Sequence, residues 1–293
     1  MKILVIGKNG QLGKSIRKII KNKKQIDNFI FIGREGLDFS NTQSIHSFFK
    51  NKKFDIIINC AAYTAVDQAE KESYLANQIN NIAVRELAKI AKTFNSKLIH
   101  ISTDYVFDGK KTKPYLETDF TNPINIYGKT KCDGEKSLKE VMLFNAIIIR
   151  TSWVYSEFGK NFLKTIIKLG KKNEELKIIS DQIGSPTYAA DLASTIIEII
   201  KNKTFVQKNF STEIYHYSNL GNISWFDFAE EIFRLTKIQC KIKPILTKNY
   251  FTSAKRPKNS MLNKSKIFKR YNLKGRLWKS SLKMCIKSGG YID

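Results

Sequence analysis

Cysteine, proline and acidic residues are all in short supply in this 293-residue sequence, and each shortage excludes something. The four cysteines, Cys60, Cys132, Cys240 and Cys285, lie far apart and form no CxxC pair. A disulfide framework or structural zinc site needs closer pairing, so they read as free thiols in a reducing compartment. Prolines number five, and no repeat or low-complexity linker divides the chain. No apolar run approaches the ~20 residues of a membrane-spanning helix. The first run, Ile3–Ile6, is too short for a signal peptide and lacks a small-residue cleavage site. It reads as a first strand; the expected location is the cytoplasm, with no membrane partner.

Acidic residues number 26 against 51 Lys and Arg, a net charge of +25. A nucleic-acid binder concentrates such an excess on one arm or recognition helix. Here the lysines are scattered in short groups, such as Lys21, Lys23, Lys24 and Lys52, Lys53, among Asn and Ile. That is a bias of solvated faces, and no nucleic-acid partner is expected. The charge still favours encounter with an anionic small molecule, less so as salt rises.

What the sequence does have is alternation. Largely apolar runs occur at Ile3–Ile6, Phe29–Ile32, Ile56–Cys60, Leu98–Ile101 and Ala146–Ile149. Runs without polar alternation suit strands buried on both faces of a parallel sheet. Helical stretches fall between them at Gln11–Lys21, Thr42–Lys50, Tyr74–Phe94 and Ile124–Glu140, with Ser40 and Gln43 fitting a capping box. The rhythm predicts an α/β fold, a doubly wound parallel sheet of Rossmann type. Residues 1–150 are expected to form the dinucleotide-binding domain, with returning elements around 176–202, namely a strand at Lys177–Ile179 and a helix at Ala189–Lys201. Residues 151–293 are expected to form mainly a smaller, interleaved substrate lobe. It would include an amphipathic helix Trp225–Thr236 with Phe226, Ala229, Ile232 and Phe233 on one side.

Gly7, Gly10 and Gly13 follow the first strand and open the first helix. Glycine permits the tight turn and the approach of backbone to a pyrophosphate, whose charge the helix N-terminus favours. At the end of the second strand stand Gly33-Arg34-Glu35. Arg34 there can pair with a ribose 2′-phosphate, which leans the cofactor toward NADPH; Glu35 as a ribose ligand would suit NADH, and a solvated Arg34 is the plain alternative. Asp38-Phe39 begins the loop after the second strand, where an aspartate could reach the adenine, and Ala61-Ala62-Tyr63-Thr64 follows the Ile56–Cys60 strand, where the nicotinamide half would pass.

Tyr127 and Lys131 stand four residues apart, on one face if the segment is helical. A phenol titrates near 10 and becomes useful as an acid or base only when its phenolate is stabilised, which an ammonium one turn away can do. Thr103 ends the strand Leu98–Ile101, 24 residues before Tyr127, and can bond the reacting oxygen. The order of glycine loop, Ser-Thr strand end and Tyr-x3-Lys points to nicotinamide-dependent redox chemistry at a carbonyl or carbinol carbon, as in short-chain dehydrogenases.

The segments GKNGQLG, AAYTAVDQAE, STDYVFDG, NIYGKTK, RTSWVY, DQIGSPT and RPKNSMLN, in this order to about Asn263, resemble those of the dTDP-4-dehydrorhamnose reductase family. RTSWVY and DQIGSPT set that family apart from sugar-nucleotide epimerases in general. The resemblance implies reduction of the C4 ketone of dTDP-4-dehydro-β-L-rhamnose. It implies Tyr127 as proton donor, Lys131 as its partner and ribose ligand, and Thr103 as the tuning hydroxyl. Asp104 and Trp153 would contact the sugar. Gly10, Gln11, Leu12, Asp38, Phe39, Ala62, Tyr63 and Thr64 would line the cofactor. Trp153 has a core tryptophan as its alternative, and Arg256 is open between the substrate diphosphate, a helix cap and solvent. Some relatives bind magnesium at a dimer interface through glutamates; the matching positions are Ser15 and Ala190, neither a hard-cation ligand. The expectation is therefore no metal, and a monomer or weak homodimer. Two rivals are an epimerase or dehydratase of the same fold, and a silent subunit like the regulatory subunit of methionine adenosyltransferase. Tyr105 in place of the dehydratase Glu argues against a dehydratase, and the intact Thr103, Tyr127 and Lys131 argue against a silent subunit.

Overall fold

A computed structural model describes residues 1–21, 28–206 and 209–292; Lys23 and Lys24, named above, lie outside the described residues. Six strands form the central sheet: β1 (Lys2–Ile6), β2 (Asn28–Ile32), β3 (Ile56–Asn59), β4 (Lys97–Thr103), β5 (Ala146–Thr151) and β6 (Glu213–Tyr217). Their spatial order is β6-β5-β4-β3-β1-β2, and every pair is parallel. The winding reverses between β1 and β3, so the loops after these strands part and leave a crevice at their carboxyl ends.

The longer helices are α1 (Gln11–Lys21), α2 (Thr42–Phe49), α3 (Ala83–Thr93), α4 (Ile126–Val141), α5 (Phe162–Gly170), α6 (Ala189–Lys201), α7 (Trp225–Thr236) and α8 (Trp278–Ser288). Successive strand residues point to opposite faces, and both faces are covered. Ile3, Val5, Ile58 and Ile147 pack with Ile16 of α1 and Ile196 of α6. Leu4, Ile6, Ile57 and Ile148 pack with Ile45 of α2, Leu87 of α3 and Leu138 of α4. A separate core joins Ile166 of α5, Ile232 of α7 and Leu282 of α8. This is the doubly wound fold the alternation predicted.

Five features differ from the sequence reading. The expected late strand, Glu175–Ile179, does not return to the main sheet; it pairs in parallel with Lys241–Ile245 in a two-stranded sheet of its own. The sixth main strand is β6, whose sequence Glu-Ile-Tyr-His-Tyr hides it: His216 is fully buried, its Nδ1 3.1 Å from the Tyr115 carbonyl. The helix expected over Tyr74–Phe94 is broken into Ser73–Asn77, a π-turn Gln78–Ile82 and α3. The cap of α2 is Asn41 rather than Ser40: Asn41 Oδ1 accepts from the Gln43 N–H at 2.9 Å, while the Ser40 hydroxyl donates to Asp38. On α7 the buried face carries Phe228 rather than Phe226, and Ser224 with Asp227 forms its capping box.

A buried ion pair aligns α4 with the sheet. Arg150 of β5 forks onto Glu135 of α4, Nη2 to Oε2 at 2.7 Å, and the Ser102 hydroxyl of β4 donates to the same carboxylate. Both charged side chains are about 3% exposed. Removing one partner would strand the other without solvent.

Candidate active site

The crevice is a cavity of about 550 Å³ whose walls include Gly7, Gly10, Arg34, Asp38, Phe39, Ala62, Tyr63 and Thr64. Three strand ends thus bring together most of the residues picked for a cofactor. The glycine turn is close-packed. Gly7 has φ +88°, a left-handed value glycine adopts without strain, and a Cβ on Gly13 would stand 2.3 Å from the Gly7 carbonyl oxygen. Only bare backbone fits there, leaving α1's first N–H groups to face the crevice, and such a cradle fits a pyrophosphate. Leu12 instead packs into the core, and the Gln11 side chain turns away to the Val154 carbonyl, Ser156 and Asn161.

At the crevice rim the Arg34 guanidinium contacts Asp38, Nε to Oδ2 at 3.2 Å, and its side chain remains 72% exposed. The Asp38 carboxylate also accepts from the Ser40 N–H and hydroxyl, and these bonds with Arg34 hold it below the usual carboxylate range despite some burial. Glu35 pairs with Lys8 at 2.5 Å. Arg34 is therefore an exposed cation at the crevice rim.

One strand further, β4 runs into a short turn, Asp104–Val106, on which α4 rests so closely that a Cβ on Gly128 would meet the Tyr105 carbonyl at 2.1 Å. Asn125 caps α4, accepting from the Gly128 N–H at 2.8 Å. This contact brings the Tyr127 phenol into hydrogen-bond contact with Thr103. The Thr103 hydroxyl also donates to Asp104 Oδ1 at 3.0 Å. Burial is the main reason the phenol is pushed up to about 12; Thr103 works against it and the Asp104 charge with it. Burial likewise pushes Asp104 up to about 7, with Ser260 and Thr103 opposing, and its Oδ2 is buried without a partner. Lys131 is 1% exposed, and burial brings it down to about 8. Its Nζ turns to β4, donating to the Ile101 carbonyl at 2.7 Å, rather than to the phenol. The protonated phenol, an amine behind it and a hydroxyl beside it form a proton-donating corner at the end of β4.

A family model described as the RmlD substrate binding domain matches residues 1–290. The dTDP-4-dehydrorhamnose reductase of Aggregatibacter actinomycetemcomitans is 38% identical over 288 residues, 96% of this chain and 97% of that protein. The crystal structure of a dTDP-4-dehydrorhamnose reductase from Clostridium acetobutylicum is 41% identical, with a TM-score of 0.91 over 98% of this chain and 99% of that one. The chain belongs to the dTDP-4-dehydrorhamnose reductase family. Another reductase structure, from Bacillus anthracis in complex with NADP, is 37% identical with a TM-score of 0.89, covering 98% of this chain and 100% of that one.

This member of the reductase family has a second cavity of about 550 Å³ that sequence reasoning did not foresee, walled by α5, residues 176–179, Trp225, residues 250–253 and Arg256. Trp153 stacks on Trp225, ring centroids 3.5 Å apart and planes 7° from parallel. Its φ of +47° is rare for so bulky a residue, and it is only partly buried, so it is no ordinary core tryptophan. Arg256 lines the same cavity, but its guanidinium is taken up by Asp67, Nη2 to Oδ2 at 2.5 Å. Asp67 sits in the AAYTAVDQAE segment, yet nothing in its spacing announced a partner 189 residues away. Asn80, in the π-turn, was also missed: its side chain bonds both the N–H and the carbonyl of Tyr63 and reaches Thr130 of α4, clamping the crevice wall to the Tyr127 helix.

Proposed function

We propose that this chain reduces the C4 ketone of dTDP-4-dehydro-β-L-rhamnose to dTDP-L-rhamnose, with NADPH preferred and NADH as the alternative. The observation that carries the reading is the corner of Tyr127, Thr103 and Lys131 at the end of β4, one strand from the glycine crevice. Family membership and the NADP bound in the Bacillus anthracis relative support it.

In this reading Gly7, Gly10, Gln11, Leu12 and Gly13 hold the pyrophosphate through backbone. Arg34, Asp38 and Phe39 take the adenosine end, and Ala62, Tyr63, Thr64, Tyr127 and Lys131 take the nicotinamide end. The reduced nicotinamide supplies the hydride when bound there. Thr103 holds the C4 oxygen against Tyr127, whose half-buried phenol, held above its ordinary range by desolvation, keeps its proton at neutral pH and passes it to the alkoxide. Orientation of the two partners is the chain's main contribution, and such positioning is worth several kcal/mol, of the order of 7–11 at best. Asp104 and Trp153 contact the sugar, and Arg256 turns from Asp67 to the diphosphate. The sheet half, 1–150 with its returning elements, is the cofactor domain, and most of 151–293 is the substrate lobe. The enzyme works in the cytoplasm as a monomer or weak homodimer.

The test is to mix purified protein with the thymidine-linked 4-ketosugar and each reduced cofactor. Loss of reduced-nicotinamide absorbance in step with ketone consumption is expected, faster with NADPH. Unchanged absorbance with the sugar bound removes the reductase and leaves an epimerase, which keeps its cofactor through turnover.

A further inference from the structure

Beneath the Tyr127 helix lies a row of three buried polar side chains: Asn59 ending β3, His100 in β4 and Lys131 in α4, exposed by 0%, 0% and 1%. Donor–acceptor matching fixes the state of each. The Ala61 backbone N–H can only donate, so the Asn59 atom that meets it at 3.1 Å is Oδ1. The amide's Nδ2 then faces His100 Nδ1 at 3.1 Å and donates to it, so Nδ1 carries no proton. Neutral His100 keeps its hydrogen on Nε2, which points at Lys131 Nζ 3.2 Å away. An ammonium there would meet this N–H donor to donor, where both residues are sealed from water. An amine offers a lone pair to Nε2–H and still donates to the Ile101 carbonyl.

We propose that Asn59 and His100 are positioning residues that hold Lys131 as a neutral amine in the ligand-free protein, so that its positive charge is taken up from solvent during the reaction cycle rather than held in advance. Its use in that cycle rests on the reductase reading; the protonation state itself does not. One charged group nearby opposes this state. Glu135, one turn along α4, draws Lys131 toward the ammonium, but its carboxylate is already forked by Arg150 and bonded by Ser102. His100 cannot supply the missing charge, since burial holds it well below the ordinary histidine range. Burial alone brings Lys131 only to about 8, where it would still be mostly charged at neutral pH, so it is the donor conflict with His100 that carries it to the amine.

The first test needs no turnover and so stands apart from the reductase assignment. The chain has three histidines, few enough to resolve every ring nitrogen in ¹⁵N-imidazole-labelled, ligand-free protein. His100 is expected to show a bare Nδ1 and a protonated Nε2 from about pH 6 to 9. A proton on Nδ1, or an imidazolium in that range, overturns the proposal. The second test is the near-isosteric Asn59→Asp. Its carboxylate still accepts from Ala61 but demands a proton on Nδ1, which turns the Nε2 lone pair toward Lys131. The ring pattern should invert, and the alkaline limb of kcat should move up by about one pH unit, a roughly tenfold change in proton concentration. The KM for the ketosugar should stay within about twofold. An inverted ring pattern with an unmoved pH profile contradicts the proposal, because a purely structural pair would behave that way.

Discussion

Replacing Asp104 by Asn tests whether the site stores a carboxyl group at the cost of fold stability. Asp104 is 2% exposed, one of its oxygens has no partner, and its carboxyl is held at about 7 against an ordinary value of 3.8. Between those values the unfolded chain has lost the proton and the native one has kept it. Stability therefore falls as pH rises from about 4 to 7, and the loss is complete above 7. A gap of about 3 units at about 1.4 kcal/mol each makes the whole effect about 4 kcal/mol. About 2–3 kcal/mol of it falls between pH 5 and pH 8. Asparagine keeps the shape and does not titrate. Urea unfolding of both proteins at pH 5 and pH 8 gives four free energies, and other titrating groups cancel in the difference of differences. The variant should gain about 2–3 kcal/mol on the wild type on going to pH 8. A double difference below about 0.5 kcal/mol would mean that Asp104 is solvated or paired in solution, and the reasoning about burial would fail.

Tyr127→Phe should leave NADPH affinity within about twofold but cut kcat by two orders of magnitude or more, as read in steady-state assays and by cofactor fluorescence titration. Gly13→Ala puts a methyl 2.3 Å from the Gly7 carbonyl and 2.9 Å from Lys8 Cα, both backbone. It should lower stability by about 1–3 kcal/mol and weaken binding of NADPH and NADH alike, which thermal melts with and without cofactor will show. Arg34→Ala should raise the KM for NADPH about tenfold and leave that for NADH nearly unchanged, since only the former has a 2′-phosphate to lose. Equal effects on both would give the adenosine end to another residue.

The parts legible in the sequence were those set by local pattern. Five of the six main strands are built on largely apolar runs, broken only by Asn59 in β3 and His100 in β4, because a strand covered on both faces has no polar side to reveal it otherwise. Gly7 and Gly13 were legible because a turn with so little room admits no side chain at either. The rest depended on partners distant in sequence. Strand β6 looks polar only until His216 finds the Tyr115 carbonyl 101 residues away. Arg256 could not be assigned because its partner, Asp67, is 189 residues upstream. Asn59, His100 and Asn80 carried no signal at all, since a polar residue inside a strand or helix announces itself only through the group that satisfies it.

The central claim is that a hydride passes from a reduced nicotinamide to C4 of the sugar while Tyr127 supplies the proton. The direct measurement uses NADPH carrying deuterium at the transferable position of its nicotinamide, with the product analysed by NMR and mass spectrometry. One deuterium per product at C4 is predicted, with solvent hydrogen on the C4 oxygen. Product without deuterium at C4, or sugar rearranged with the labelled cofactor left intact, contradicts it.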